Sequence, residues 1–402
     1  MKPIYMDNNA TTCVDPQVVE AMLPFLTEQF GNPSSMHSFG DQVGRALKQA
    51  REQVQALVGA EHASEIIFTS CGTESDSTAI LSAVRAQPQR REIITTEVEH
   101  PAILNVCEQL EKEGYTIHRL GVDGQGRLDL AHYRRVLSDQ VALVSVMWAN
   151  NETGTLFPVE SMAEMARARG VMFHTDAVQA VGKLPIDLKY TCIDMLSISG
   201  HKLHAPKGVG VLYVRRGLRF RPMLRGGHQE RGRRAGTENV PGIIALGKAA
   251  ELALSHLDEE RQRVRALRNR LEAGLLEQIP NAFVTGDVDN RLPNTLNMAF
   301  EYIEGEGILL MLNHQGIAAS SGSACTSGSL EPSHVMRAMG IPYTAAHGSV
   351  RFSLSRFNTE EEVDRVIQVM PDIVARLRKM SPYWGEDGPV ENPEQAFAPA
   401  YA

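Results

Sequence analysis

Apolar residues fall into two registers along this chain. Runs around 66–68, 93–94, 141–148, 171–173, 193–198 and 209–214 are almost unbroken by polar residues. Such runs read as strands buried on both faces. The expected strands are 65–69, 92–96, 141–148, 171–175, 193–198 and 209–214. Between them the apolar positions recur every three or four residues, which predicts helices over 73–84, 102–113 and 159–169, the last stopped by Gly170. A further helix is expected over 38–57, with Val43, Leu47, Val54 and Leu57 on one side and Gly59 at its end. Strands alternating with helices imply an α/β fold whose mostly parallel sheet is covered on both faces.

The pattern changes near residue 240. Residues 243–276 read as one or two long helices, dense in Glu and Arg on the polar side, connecting two domains. Shorter strands follow over 282–285, 294–300 and 349–354, with a helix over 306–313. A last amphipathic helix over 359–380 places Val363, Val366, Ile367, Met370, Ile373 and Leu377 at helical spacing. Residues 381–402 are Pro-rich and acidic and are expected to form a poorly ordered tail.

Composition narrows the partners. The 402 residues carry a net charge of −8, which offers no general attraction to nucleic acid or an anionic membrane. No signal-peptide pattern opens the chain, and no apolar segment approaches the ~20 residues of a membrane helix, so a cytoplasmic setting is expected. The five cysteines, Cys13, Cys71, Cys107, Cys192 and Cys325, are widely spaced and contain no C-x-x-C. Neither a disulfide framework nor a permanent metal site is expected. The first four are read as packing residues.

Candidate chemistry gathers at the strand exits, where open α/β sheets bind ligands. After 65–69 comes Ser70-Cys71-Gly72-Thr73, opening a helix whose free N–H groups suit a phosphate, although Thr73 also fits an N-cap. After 92–96 comes His100, placed to stack on a ring or move a proton, or to serve as an ordinary loop histidine. Ala149-Asn150-Asn151-Glu152 follows the next strand, and Asp176 and Gln179 the one after. A buried aspartate at a strand end needs a cation or several donors, and a protonated pyridine nitrogen is one such cation. Ser199-Gly200-His201-Lys202 closes the series. Lys202 alone reads more readily as a surface lysine at a loop. In the order Gly-Thr, His, Asn, Asp, Lys it fits the Schiff-base lysine of a pyridoxal phosphate (PLP) enzyme.

Four motifs sharpen that reading: Asp7-Asn8-Asn9-Ala10-Thr11-Thr12, Ser199-Gly200-His201-Lys202, Arg233-Arg234-Ala235-Gly236-Thr237 and Ser321-Gly322-Ser323-Ala324-Cys325. With them the chain resembles, over about residues 3–380, the cysteine desulfurases of the class V aminotransferase group, fold-type I PLP enzymes, and within them the nitrogen-fixation type. The resemblance implies a large domain over 13–257 with a mostly parallel seven-stranded sheet. It also implies a smaller α+β domain from 1–12 and 258–380, carrying a cysteine loop near 320–332, and a tail over 381–402. It implies that Lys202 carries PLP and shuttles protons, Asp176 holds the pyridinium nitrogen, Gln179 bonds the phenolic oxygen, and His100 stacks and acts as acid or base. Gly72, Thr73, Ser199 and His201 would bind the phosphate, with Thr237 from the second copy of a homodimer. Asn151 would touch cofactor and substrate, and Arg351 would hold the substrate carboxylate.

Cys325 sits among Ser, Gly, Ala and Thr, a composition unsuited to a packed core. The resemblance makes it the thiolate that takes sulfur from L-cysteine, leaving L-alanine and a persulfide. A mobile loop would carry that sulfur to an iron–sulfur scaffold, with Cys325 a transient cluster ligand at most. Other PLP enzymes, such as an aminotransferase, a selenocysteine lyase or a kynureninase-like enzyme, share the cofactor site without needing Cys325. A non-catalytic iron–sulfur protein is disfavoured by the scattered cysteines. Dinucleotide binding is disfavoured because no G-x-G-x-x-G follows the first strand.

Overall fold

The computed structural model describes residues 3–321, 332–386 and 388–390. The loop expected near 320–332, and Cys325 within it, therefore lie almost wholly outside the described residues. After a short strand β1 (Ile4–Tyr5), seven strands build the main sheet: β2 (Ile66–Thr69), β3 (Glu92–Thr96), β4 (Thr116–Leu120), β5 (Val141–Ser145), β6 (Met172–Asp176), β7 (Met195–Ser199) and β8 (Gly210–Val214). Their order is β2-β8-β7-β6-β5-β3-β4. Only β8 runs antiparallel to its neighbours.

Side-chain alternation explains the unbroken apolar runs. Ile66 and Phe68 enter the core on one side of the sheet and Ile67 the core on the other. Val144 and Leu143, and Leu196 and Met195, divide in the same way. Successive strand residues point to opposite faces, so a strand covered twice has no polar face. The unexpected strand is β4, Thr-Ile-His-Arg-Leu at the sheet edge. One pairing edge is open there, and its polar side chains bond outward: His118 to Glu92 at 3.0 Å and Arg119 to Glu111 at 2.9 Å.

A second core lies beyond the sheet. β9 (Ala282–Val284), β10 (Thr295–Phe300) and β12 (Ser349–Ser353) form an antiparallel sheet in the order β12-β10-β9, while β11 (Ile317–Ala318) pairs in parallel with β1. Met298, Phe300 and Phe352 pack there against Leu271, Leu275, Val366 and Met370 of the helices Arg265–Gln278 and Glu360–Arg378. Thr359 and Glu362 close a capping box on the latter helix, worth about 1 kcal/mol. The expected long helix over 243–276 is bent, with 57° between Val240–Ser255 and the segment after it.

The helix His334–Ala338 returns the chain to the main sheet, with Val335, Met336 and Met339 in its core. The start of the expected poorly ordered tail instead makes specific contacts. Trp384 lies under the Arg378 guanidinium at 4.3 Å, and Trp384–Gly385 pairs with Gly388–Pro389. An aromatic anchor holds a stretch that composition alone reads as loose.

Candidate active site

The exits of β3, β5, β6 and β7 and the start of the helix Gly72–Ala86 open onto one cavity of about 310 Å³. Gly72, Thr73, His100, Asn151, Asp176, Gln179, Ser199, His201, Lys202 and Arg351 all line it. Ten expected site residues, scattered over 280 positions, thus share one wall. The parallel sheet brings nine of them there, because its crossovers return each strand end to the same edge, and Arg351 joins them from β12.

Lys202 ends a short 3-10 turn, Gly200–Lys202, directly after β7. Its Nζ donates to the carbonyl oxygens of Asn9 and, at 2.7 Å, Ala10. Burial, reinforced by the cations of Arg351 and Lys183, pulls its amine from the ordinary 10.5 down to about 7. At neutral pH much of it is therefore a free amine, a nucleophile rather than a solvated charge.

Carboxyl groups dominate the floor. Asp176, the last residue of β6, accepts from Val178 N at 2.9 Å, and burial raises its carboxyl. Asp76, one turn into the helix Gly72–Ala86, is held well above the usual carboxylate range by burial and then by the charge of Asp176. Its Oδ1 is buried with no hydrogen-bond partner among the described residues. Glu99 is pushed up to about 8 by burial. The nearby His174 bonds Ser145 Oγ and Ser197 Oγ, both at 2.9 Å, and burial lowers it to about 3. A neutral His174 makes its 3.7 Å approach to Asp76 a dipolar contact, not an ion pair. Among the described residues no Lys or Arg forms an ion pair with these acids, although the charge of Lys202 acts on Asp176 within the same cavity.

The opposite end suits an anion. Cys71 caps the helix Gly72–Ala86 by position, but its side chain makes no capping bond, so the first N–H groups stay available. Thr73 is a helical residue here, not the N-cap. A Cβ on Gly72 would lie 3.1 Å from Val178 Cγ2 and 3.4 Å from Ser199 Cβ, so glycine permits this close approach of helix and strand. His201 Nδ1 bonds Thr11 Oγ1 at 3.0 Å, and burial with Lys202 lowers it to about 4, leaving the ring neutral. Gln179 donates Nε2 to Asn9 O at 3.0 Å while its Oε1 is buried without a partner among the described residues.

Arg351, in the middle of β12, crosses from the second core into the cavity. It is 2% exposed, pairs with Asp7 Oδ1 at 2.8 Å and donates to Asn151 O at 2.8 Å. His100 is the N-cap of the helix Pro101–Lys112, accepting from Ala102 N at Nδ1 (3.1 Å), and burial lowers its basicity.

Two expected site residues stand apart. Thr237 lies on a separate exposed surface beside Phe68, Glu230 and Arg234, and Cys325 lies outside the described residues. Conversely, Asp76, Glu152, His334 and Cys71 line the cavity without having been singled out. Cys71 and Cys13 correct the packing expectation for the cysteines. Cys13 is exposed and Cys71 half-buried at the cavity, whereas Cys107 is buried, with its thiol pushed up to about 12.

Among the described residues no single helix is long and apolar enough to cross a membrane. The family model for aminotransferase class V matches residues 4–366. The chain is 72% identical over 401 residues to "Cysteine desulfurase NifS" of Azotobacter vinelandii, covering all of both chains. It is 67% identical, again over the full length of both, to a cysteine desulfurase of Gluconacetobacter diazotrophicus. A solved NifS-like protein, 38% identical, superposes with a TM-score of 0.88 over 93% of this chain and all of that one. By the full-length family match and this depth of identity, the chain belongs to the class V aminotransferase family, among its NifS-type cysteine desulfurases.

Proposed function

We propose that this chain removes the sulfur of L-cysteine, releasing L-alanine and leaving a persulfide on Cys325. That sulfur is then delivered to an iron–sulfur scaffold serving nitrogenase metallocluster assembly. The observation that carries the reading is one cavity holding a Lys202 amine lowered by burial to about 7, the buried Asp176 and the Arg351 cation.

The donors and acceptors fit PLP. Lys202 would hold it through its amine. Asp176, with the uncompensated Asp76 behind it, would face the ring nitrogen. Gln179 would meet the phenolic oxygen through its amide. Gly72, Thr73, Ser199 and His201 would surround the phosphate, and Thr237 of the second copy in a homodimer would complete that cup. His100 would cover the ring. Asn151 and Arg351 would orient the amino acid by its carboxylate, a group that matches a guanidinium fork. When bound, PLP supplies an electron sink that takes up the negative charge as the C–S bond breaks. Lys202, once free, moves protons at the substrate's α-carbon. Cys325 accepts the sulfur as a thiolate nucleophile.

Mass spectrometry of the protein after incubation with L-cysteine tests this directly. An adduct of about 32 Da, one sulfur atom, is expected on Cys325. Cys325→Ala is expected to keep the PLP absorbance and lose sulfide release from cysteine. Undiminished turnover by that variant would overturn the persulfide route.

A further inference from the structure

The cavity contains a second imidazole. His334 stands at the start of the helix His334–Ala338 and lines the cavity together with His100 and Arg351. Its Nε2 lies 2.9 Å from the carbonyl oxygen of Glu99. A carbonyl only accepts, so the proton of a neutral His334 resides on Nε2 and Nδ1 carries a lone pair. Among the described residues no donor meets that Nδ1. His100 is the same tautomer, held at its other ring nitrogen. Its Nδ1 accepts from the backbone N–H of Ala102, which places its proton on Nε2. The two rings therefore present one lone pair and one N–H to the same space.

His334 is also firmly placed. The preceding Ser333 donates to Glu152 Oε2 at 2.6 Å and caps the helix by accepting from Val335 N. Val335 and Met336 are buried in the main core. A ring on a bolted helix start keeps one orientation.

We propose that His334 is a second proton-handling residue of this site, with Nδ1 accepting a proton from the substrate's ammonium group while His100 keeps the donor role. The inference rests on the cysteine desulfurase reading above. L-Cysteine arrives mainly as an ammonium zwitterion, and only its free amine is nucleophilic. The step is one proton transfer: a substrate N–H bond breaks, a bond to Nδ1 forms, and the imidazolium stays held by the Glu99 carbonyl. The charged and titratable groups that line the cavity with His334 are Cys71 and Asp76 beyond β2, His100 beyond β3, Glu152 beyond β5, Asp176 on β6, His201 and Lys202 beyond β7 and Arg351 on β12, and Glu99 holds its ring.

The test is stopped-flow absorbance of the PLP-loaded enzyme mixed with L-cysteine, wild type against His334→Gln, across pH. The variant is expected to keep the resting cofactor spectrum and to respond roughly a hundredfold more slowly at neutral pH. The gap should close as pH rises and cysteine sheds its own proton. An equal rate at neutral pH, or a deficit independent of pH, overturns the proposal. A wild type with no spectral response to cysteine would instead overturn the desulfurase reading. Should the variant not fold, ¹⁵N-histidine NMR of the wild type decides the matter: His334 protonated at Nε2 is expected, and protonation at Nδ1 refutes it.

Discussion

Lys202→Ala is expected to yield folded protein that no longer retains PLP through desalting and turns over cysteine only at background rate. The wild-type side chain is half-buried, and among the described residues its amine donates to two backbone carbonyls, those of Asn9 and Ala10. Burial brings its pKa to about 7, so at pH 7 the neutral fraction exceeds that of an ordinary lysine by roughly a thousandfold. The sign of the pH dependence follows. Protonation removes the nucleophile, so PLP capture by the cofactor-free protein should slow as pH falls below about 7 and level off above it. Removing a group whose charged form is disfavoured costs the fold little, since the freed carbonyls lose about 1–3 kcal/mol at most. Absorbance after desalting and circular dichroism separate loss of cofactor from loss of fold. Retained PLP in the alanine variant would refute the role.

The second large effect is expected from Arg351→Met, and it divides into two parts. Removing one member of a buried ion pair strands the other, which costs about 3 kcal/mol. Asp7 is the partner left behind, and Asn151 loses the donor to its carbonyl. Separately, the substrate carboxylate loses its charged fork, which should raise KM for cysteine roughly ten- to a hundredfold. The double variant Asp7→Asn with Arg351→Met separates the parts. It should recover much of the stability in urea unfolding, because no uncompensated charge remains, but none of the KM. Recovery of both would show that Arg351 acts on substrate only through the fold.

Much of the site was legible in order along the chain. Gly72, His100, Asn151, Asp176 and Lys202 each follow an apolar run, and a parallel sheet necessarily delivers such ends to one edge. What stayed hidden shares a common physical character. β4 is an edge strand whose polar residues are exposed (Thr116) or half-buried (His118, Arg119), and half-covered strands lack the continuous apolar run that marks covered ones. Asp76 looks like any helix-surface acid until the helix is seen pressed against β7. His334 lies 234 residues beyond His100, and no local pattern relates the two.

The chain's own order of residues therefore determined the layering, the buried strands and which residues stand at their ends, because burial and backbone hydrogen bonding act over a few residues. Only the tertiary structure decided the charge states and pairings. It drew Lys202 down by burial, joined Arg351 of the second core to Asp7, and held His334 and His100 at different ring nitrogens. Those outcomes depend on desolvation and on partners hundreds of residues apart, and neither exists until the two cores meet around the cavity.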